Sequence, residues 1–463
     1  MANGEWRIAN DGGSVKLSIF VIRNLGLILL LMMLLAGCGG DAPAPTSPFP
    51  TPSGDPQLLP TLTPTPTPDL QPMLVTLKLW VPEDLSPYGR GPGAAAMADL
   101  LDRFSEAYPD VQVDVTVKKA QGRGGLLDFL RTARDAAPSI MPDLVIVDVN
   151  DMGAAAGSAL IQPLDDLISP TEMDERFPFA VEMGTVTRDA GGPMTAGFIL
   201  GVDLTHLVYR AELFETPPIS WTSIISPPKS YVFPAGGQDR QVNDATLIQY
   251  LAAGGVLIDA EGHPTIDEEV MISVLDFYSQ CIGTGAISPT LALTTRDSVQ
   301  SWEHFKAGYG TMAAVSAHHY WVEIENLLAD PEQMEETWAV ASLPTREGQP
   351  FSVIKQGWAI SLVAQDEARQ RLAILLLDWL ISPDQNGRWT QASGYLPATK
   401  SALRMWDVPN VDRAALRNIL NAAAPPPSQE TMATSGRVMQ EAVIAVLRRR
   451  ATPEEAAAAA VEG

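Results

Sequence analysis

The chain has 463 residues, of which 46% are hydrophobic, and it carries a formal net charge of −24. That apolar share is enough for a large core and excludes a wholly disordered protein, while the length indicates two or three domains. The acidity argues against a nucleic-acid partner, because phosphate binding needs clustered Lys and Arg. Two cysteines, Cys38 and Cys281, exclude a disulfide scaffold and a multi-cysteine metal site.

The first 37 residues are predicted to be an export signal. Lys16 and Arg23 precede the apolar stretch 25–35, which is shorter than the roughly 20 apolar residues that span a bilayer. The sequence Leu-Ala-Gly-Cys that ends at Cys38 resembles the lipobox of bacterial lipoproteins. This resemblance implies that Cys38 is lipidated and anchors the exported chain to the outer face of the cell membrane. An anchor helix with a chance cysteine is the alternative.

Residues 38–72 are predicted to be the lipidated cysteine and a tether. The stretch 39–72 contains eleven prolines and six threonines. Proline fixes φ and has no N–H donor, so this stretch favours neither helix nor sheet. Its 34 residues would reach roughly 100 Å as an extended polyproline II chain. The composition therefore indicates a spacer between a lipid and a globular body.

From Met73 onward, strand and helix patterns alternate along the chain. Valine recurs at every second position from Val111 to Val117, and a short apolar run at 143–147 is typical of a strand buried on both faces. Strand, helix, strand, helix, strand predicts a parallel sheet with crossover helices. The predicted strands are 74–80, 111–117 and 143–147, and the predicted helices are 94–108, 268–281, 299–306, 366–381, 438–449 and 453–461.

A series of short motifs runs through the body in a fixed order. They are Phe104–Pro109, Pro142-Asp143, Gly157–Leu164, Leu207–Phe214, Pro217–Trp221, Phe305–Met312, Gln356–Trp358, Gly394–Ala398 and Thr452–Ala456. In kind and order they resemble the motifs of the extracellular solute-binding protein family 1. Members of that family are sugar-binding subunits of bacterial import systems driven by ATP, and they include the maltose-binding proteins.

The resemblance implies an α/β fold of the periplasmic-binding-protein type (type II). In that fold two lobes are joined by crossing strands, and the ligand lies in the cleft between them. It implies one lobe at 73–200 plus 356–400 and the other at 201–355 plus 401–463. The implied function is capture of a mono- or oligosaccharide and delivery to an ABC-type permease with a cytoplasmic ATPase. A monomer is expected, with no cofactor and no enzymatic activity.

The resemblance also implies ligand contacts at polar positions. Asp84 matches an acid that binds sugar hydroxyls, and Asn150 with Asp151 fall on a pair of polar contact positions. Asp203 matches the acid of a crossing strand. Each of these side chains could instead cap a helix or form a turn, as Asp and Asn often do.

Further implied contacts are less regular. Gln238 and Asn243 lie in a Gly-rich loop near another contact region. His318 stands where the family often has a stacking tryptophan, and Tyr320 follows two residues later. Val147 and Gly436 replace two aromatic residues that stack sugar in maltose binders, which argues against a long maltodextrin. Trp358 and Tyr395 are the aromatic candidates that could compensate, although Trp358 could instead belong to hinge or core packing.

Other functions have less support in the sequence. It lacks the Gly-x-Ser-x-Gly, His-Glu-x-x-His and Walker motifs of common enzyme classes. His318 and His319 are expected on a strand, where neighbours point to opposite faces and cannot share a metal, so no metal site is predicted. Two alternatives stay open: an anionic or other non-sugar solute bound by the same fold, and a ligand-sensing receptor module. An anion would need Arg90, Arg123, Lys355 or Arg388 in the cleft.

Overall fold

The computed structural model describes residues 74–165, 170–188, 192–225, 230–237, 241–328 and 338–463. The predicted signal, Cys38, the tether and Gln238 lie outside these residues. The described residues form one compact unit. Within the described ranges, no helix has both the length and the apolarity needed to cross a membrane.

Helices and strands alternate along the described chain. The strands are β1 Val75–Pro82, β2 Val111–Lys118, β3 Leu144–Asp148, β4 Thr185–Arg188, β5 Gly192–Thr195, β6 Phe198–Arg210, β7 Tyr231–Val232, β8 Met312–Ser316, β9 Trp338–Ala341, β10 Ser352–Leu362 and β11 Ala423–Ala424. The helices are α1 Pro92–Ala107, α2 Leu126–Ala136, α3 Val149–Gly157, α4 Pro170–Glu175, α5 Pro178–Gly184, α6 Trp221–Ile225, α7 Asp244–Ala252, α8 Glu268–Thr284, α9 Pro289–Thr294, α10 Ser298–Lys306, α11 Ala317–Leu328, α12 Glu367–Ile381, α13 Pro383–Ser393, α14 Lys400–Arg404, α15 Asn410–Asn421, α16 Gln429–Thr431, α17 Arg437–Leu447 and α18 Pro453–Glu462.

One mixed sheet contains most of these strands, in the order β2-β1-β3-β10-β6-β8-β7. Strand β1 pairs in parallel with both β2 and β3, as the sequence pattern predicts. The long strands β6 and β10 are antiparallel to each other and continue through the middle of the sheet. Strand β9 pairs with β6 in the antiparallel direction, and β11 pairs with β10 in parallel.

The register places two sets of strand ends opposite each other along β6 and β10. Strand β3 ends beside Trp358, which pairs in turn with Gly201 of β6. Strand β8 ends with Ser316 beside Thr205, four residues further along β6. The carboxyl ends of β1 and β3 therefore face the carboxyl end of β8 across residues 201–205. Ligands in open α/β sheets bind outside such carboxyl ends.

Apolar residues divide into three buried clusters around this point. Phe198 and Leu200 belong to one cluster, which also holds the apolar residues of β1 and helices α1 and α12. Leu207 and Tyr209 belong to a second, with helices α7, α8, α17 and α18. A third cluster includes Ile199, Val202, Leu204 and Val208 along β6. Between the first two, β6 presents the polar residues Asp203 and Thr205.

The predicted elements are found within one to three residues of their expected bounds. One prediction is wrong: His318 and His319 lie in the first turn of α11, not on a strand. The physical reason is a cap. The Ser316 hydroxyl accepts the His319 backbone N–H at 3.2 Å, which ends β8 and starts the helix.

Candidate ligand-binding cleft

Asp203 lies at the centre of the region between the two sets of strand ends. Its side chain is 6% exposed. The Ser316 hydroxyl donates to Oδ2 at 2.9 Å, and the His318 backbone N–H donates to Oδ1 at 2.9 Å. These bonds attach the start of α11 directly to β6. We call Asp203, Thr205 of β6 and Lys355 of β10 the cleft floor.

An aromatic pair lies beside the floor. The rings of His318 and Tyr395 are stacked, with centroids 4.1 Å apart and planes 16° from parallel. Tyr395 also stacks on Trp389 of α13 at 6.0 Å. Burial lowers the pKa of His318, with the Asp203 carboxylate opposing the change, and this shift favours the neutral ring. Each ring is anchored next to the other, because Leu396 pairs with Val202 and His318 bonds to Asp203.

A cavity of about 330 Å³ opens next to this pair. Asp84 and Arg90 line it from the segment after β1, and Trp389 and Tyr395 line it from α13 and the residues that follow. Asp84 is exposed to this space. Carboxylates, an aromatic pair and a cationic side chain are the groups that bind hydroxyl-rich rings, by hydrogen bonds at the edge and stacking on the face.

The end of β3 supplies a second acidic group. Asp148 caps α3, and its Oδ1 accepts the Asn150 backbone and side-chain N–H groups at 2.8 Å. Gln121 donates to Oδ2 at 2.7 Å. Burial raises the pKa of Asp148 against these hydrogen bonds, and burial followed by the Asp148 charge raises the pKa of Asp151. Asn150 is exposed, while Asp151 is half-buried.

Lys355 forms the other end of the floor. Its Nζ lies 3.3 Å from Asp244 Oδ2 and 3.4 Å from Ser298 Oγ, at the starts of α7 and α10. The Asp244 charge is the largest of the causes that raise the pKa of Lys355, with Asp203 and Asp297 adding to it. A second cavity, of about 260 Å³, is lined by Lys355, Asp244, Asp297 and Ser298.

The structure places several predicted contact residues away from open space. Asn243 caps α7, accepting the Thr246 N–H at 3.0 Å, although it also lines the second cavity. Tyr320 is 3% exposed and packs edge-on against Trp302 and His206. Trp358 is 0% exposed, in the same apolar cluster as Tyr395. Cys281 is a buried free thiol, and burial raises its pKa to about 12.

The structure brings together Asp84, Asp203, His318 and Tyr395. Burial is the largest cause that raises the pKa of Tyr395, and the carboxylates of Asp84, Asp203 and Asp148 raise it further. Asp148 and Thr205 are absent from the sequence-based set. The signal for Asp148 is an acid that closes the apolar run of β3, and the signal for Thr205 is a polar residue inside the apolar run of β6.

One group of three side chains could in principle provide ligands for a metal ion. Ligand atoms of Glu303, His319 and Glu323 lie within 4.8 Å of one another. However, the Lys306 ammonium bridges both carboxylates, at 2.9 Å from Glu303 and 2.6 Å from Glu323. Trp302 also donates its indole N–H to Glu323. The single ammonium group therefore already neutralises half of the charge of the two carboxylates.

Solved structures from several bacteria share this fold. A maltose-bound MalE3 of T. maritima is 19% identical and superposes with a TM-score of 0.58, covering 84% of this chain and 98% of that one. The sugar-binding protein MalE of Xanthomonas citri is 18% identical and superposes with a TM-score of 0.62, covering 84% of this chain and 96% of that one. An extracellular solute-binding protein family 1 member of Alicyclobacillus acidocaldarius is 17% identical, with a TM-score of 0.64. The match covers 84% of this chain and 97% of that one.

These likenesses show the fold: a two-lobed α/β periplasmic-binding-protein architecture of type II, with a cleft between lobes joined by crossing strands. The family described as "Bacterial extracellular solute-binding protein" matches residues 99–415, which is more than half of the chain. Members of this family are exported binding proteins. The chain therefore belongs to the bacterial extracellular solute-binding protein family.

Proposed function

We propose that this protein captures a carbohydrate in the cleft above Asp203 and delivers it to an ABC-type permease. The observation that carries the proposal is the polar floor. Asp203 and Thr205 interrupt β6 where the carboxyl ends of β1, β3 and β8 face one another. A binding protein of this fold closes on its ligand because only the closed form lets both lobes touch it.

The chemistry of the cleft suits a hydroxyl-rich ring. Carboxylates accept hydrogen bonds from hydroxyl groups, and Asp84 is exposed to supply one. The Tyr395–His318 pair supplies an aromatic surface beside it. We propose ligand contacts at Asp84, Asn150, Asp151, Asp203, His318 and Tyr395. Asn243, Tyr320 and Trp358 would support the site from the core.

An anionic solute has less support. Lys355 is paired with Asp244, and Arg388 with Asp384. Arg123 is exposed in the segment after β2, and Arg90 lines the cavity that also holds Asp84. The carboxylates of Asp84, Asp148 and Asp203 would repel an added negative charge in the cleft.

The finer parts of the proposal concern the N-terminus and the lobes. We propose that Cys38 is lipidated after removal of residues 1–37 and that residues 39–72 hold the body away from the membrane. We also propose lobes at 73–200 plus 356–400 and at 201–355 plus 401–463. The apolar cluster with Leu200 and Trp358 and the cluster with Leu207 and Val353 support this division.

Thermal melting of the full chain, purified in detergent, tests the function. The panel contains monosaccharides, oligosaccharides, polyols and sugar phosphates. A sugar at a hundredfold its Kd should stabilise the protein by about 2.7 kcal/mol, which raises the melting temperature by a few degrees. We expect the shift with a neutral sugar, and its loss in Asp84→Asn and Asp203→Asn.

Asp102→Asn is the matched control, because Asp102 is an exposed acid on α1. This variant should keep the full shift. A shift with a sugar phosphate or polyol phosphate alone would contradict the carbohydrate proposal. A sugar shift that survives both cleft variants would contradict the proposed site.

A further inference from the structure

We infer that a cavity at the amino ends of β1 and β3 binds a small organic anion with at least two negative charges. The cavity has a volume of about 630 Å³ and lies among Thr76 and Lys78 of β1, Asp143 before β3, Val363 after β10 and Arg369 of α12. We call it the edge cavity. The inference goes beyond the carbohydrate proposal, because this edge of the sheet lies opposite the carboxyl ends that face the cleft.

The strands themselves separate the edge cavity from the cleft. Thr76 stands near the start of β1 and Pro82 ends it, so the strand spans roughly 20 Å between them at about 3.3 Å per residue. Asp143 precedes β3, and Asp148 ends it. Among the described residues, none that lines the edge cavity also lines either cavity beside the cleft floor. An anion at the edge would therefore use side chains that the cleft does not use.

The edge cavity has a balance of charge unlike that of the chain. Among the described residues, three cationic side chains line it, those of Lys78, Arg134 and Arg369, with one carboxylate, that of Asp143. The whole chain has a net charge of −24. The cleft cavity of about 330 Å³ has the reverse balance, with two carboxylates against one guanidinium group. Local charge therefore favours an anion in the edge cavity over the cleft.

The one carboxylate of the edge cavity is already satisfied by the protein. Asp143 is 3% exposed. Its Oδ1 accepts Arg369 Nε at 2.6 Å, and its Oδ2 accepts the Lys78 backbone N–H at 2.7 Å together with Arg369 Nη2. The Asp143 backbone carbonyl accepts the N–H groups of Val363 and Ala364, at 2.9 and 3.1 Å. These hydrogen bonds hold Arg369 in place before a ligand arrives, which lowers the entropic cost of binding.

The cationic groups keep N–H donors for a ligand. No described residue accepts a hydrogen bond from Arg369 Nη1. Among the described residues, Lys78 Nζ bonds only to the Ser139 carbonyl, at 2.6 Å. Arg134 uses Nε and Nη1 on its neighbour's carboxylate and on a backbone carbonyl, which leaves Nη2. An ammonium group has three N–H donors and a guanidinium group has five, so a ligand with several oxygen acceptors can bond to more than one of these cations.

The remaining wall of the edge cavity indicates the class of anion. Pro138, Met141, Pro142 and Ala364 add apolar surface. The volume lies within the range of small-molecule sites, about 300–1,000 Å³. Guanidinium groups pair with carboxylate and phosphate groups alike. The geometry therefore suits an organic anion whose carbon atoms contact the apolar wall and whose carboxylate or phosphate groups meet the cations.

Titration calorimetry of the full chain in detergent, at low ionic strength, tests the inference. The probes are succinate, citrate and glycerol 3-phosphate, which separate carboxylate from phosphate, with acetate as the singly charged reference. We expect at least one of the three probes to bind one site per chain, tenfold or more tightly than acetate. Lys78→Met should weaken that probe about tenfold, the loss typical of a charged hydrogen bond, and Arg134→Met should weaken it as well.

Lys400→Met is the matched control, because Lys400, like Lys78, donates to a backbone carbonyl. This variant should keep the full affinity for the probe. Equal losses in Lys400→Met and Lys78→Met, equal binding of acetate and the probes, or no binding of any probe would overturn the inference. An affinity that falls in Asp203→Asn but not in Lys78→Met would also overturn it, since the anion would then lie in the cleft.

The carbohydrate proposal can fail or succeed separately from this inference. Lys78→Met should keep the melting shift with a sugar, because Lys78 does not line the cleft. A sugar phosphate that raises the melting temperature through the edge cavity should still do so in Asp203→Asn and should lose the effect in Lys78→Met. The opposite pattern would overturn the inference.

Discussion

His206 is a fully buried histidine on β6, and it makes the stability of the protein depend on pH. Burial lowers its pKa to about 4. The unfolded chain has a histidine pKa of about 6.5, so between these values the unfolded state binds a proton that the native state does not. The stability that the neutral His206 contributes is therefore fully present above pH 6.5, and it is lost as the pH drops toward 4.

This difference predicts a measurable slope. Going from pH 8 to pH 5, His206 should lower the free energy of unfolding by about 2 kcal/mol. Denaturant titrations of the wild type and His206→Leu at both pH values measure it, and the variant should lose about 2 kcal/mol less on acidification. Identical losses would show that His206 takes up its proton in the folded state. The carboxyl groups titrate in both proteins and cancel in the comparison.

Residue-level reasoning located part of the candidate site. Asp84, Asp203, His318 and Tyr395 lie near one another as the family resemblance implies, although their ligand contacts stay a prediction. Tyr320 and Trp358 lie in the core, because aromatic motif positions carry no information about which face of an element is open. Lys355 could be mapped only from the structure, since it depends on three segments far apart in the sequence.

At the level of elements, helix α13 ends against the start of α11 with no space for a side chain. Gly394, the C-terminal cap of α13, has φ +76°. A Cβ there would lie 2.5 Å from the His318 carbonyl oxygen and 2.9 Å from the Val322 nitrogen. Only glycine combines this left-handed backbone with so close an approach.

Gly394→Ala should therefore destabilise the protein by about 2–4 kcal/mol, through backbone strain and displacement of α11. Gly285→Ala is the matched control. Gly285 caps α8 with φ +82° and has nothing within 4 Å of the added Cβ. It should cost only about 1 kcal/mol, from the left-handed backbone alone. Equal costs, measured by denaturant unfolding, would contradict the close contact between α13 and α11.

Sequence patterns identified most elements but not how they are joined. The helices with capped ends and regular apolar spacing, such as α10 and α12, are predicted to within one residue at each end. The strands β6 and β10 are a different case. Their apolar runs do not reveal that both strands continue through the middle of the sheet, since the partner of each lies more than a hundred residues away.

At the level of the whole molecule, the apolar clusters explain how a cleft can form in one compact body. Two of them end on either side of Asp203, and the third follows β6 itself through Ile199, Val202, Leu204 and Val208. A further cavity, about 540 Å³ among Phe198, Arg176 and Arg404, lies near the start of β6. At about 3.3 Å per residue, Phe198 is roughly 17 Å from Asp203.

The central claim is that the ligand occupies the cleft above Asp203. A crystal structure of the protein with the sugar that gives the largest melting shift tests it most directly. We predict sugar density over Asp203, beside Tyr395 and Asp84. Density in the cavity at Phe198 and Arg404, with the space above Asp203 filled by water, would contradict the claim.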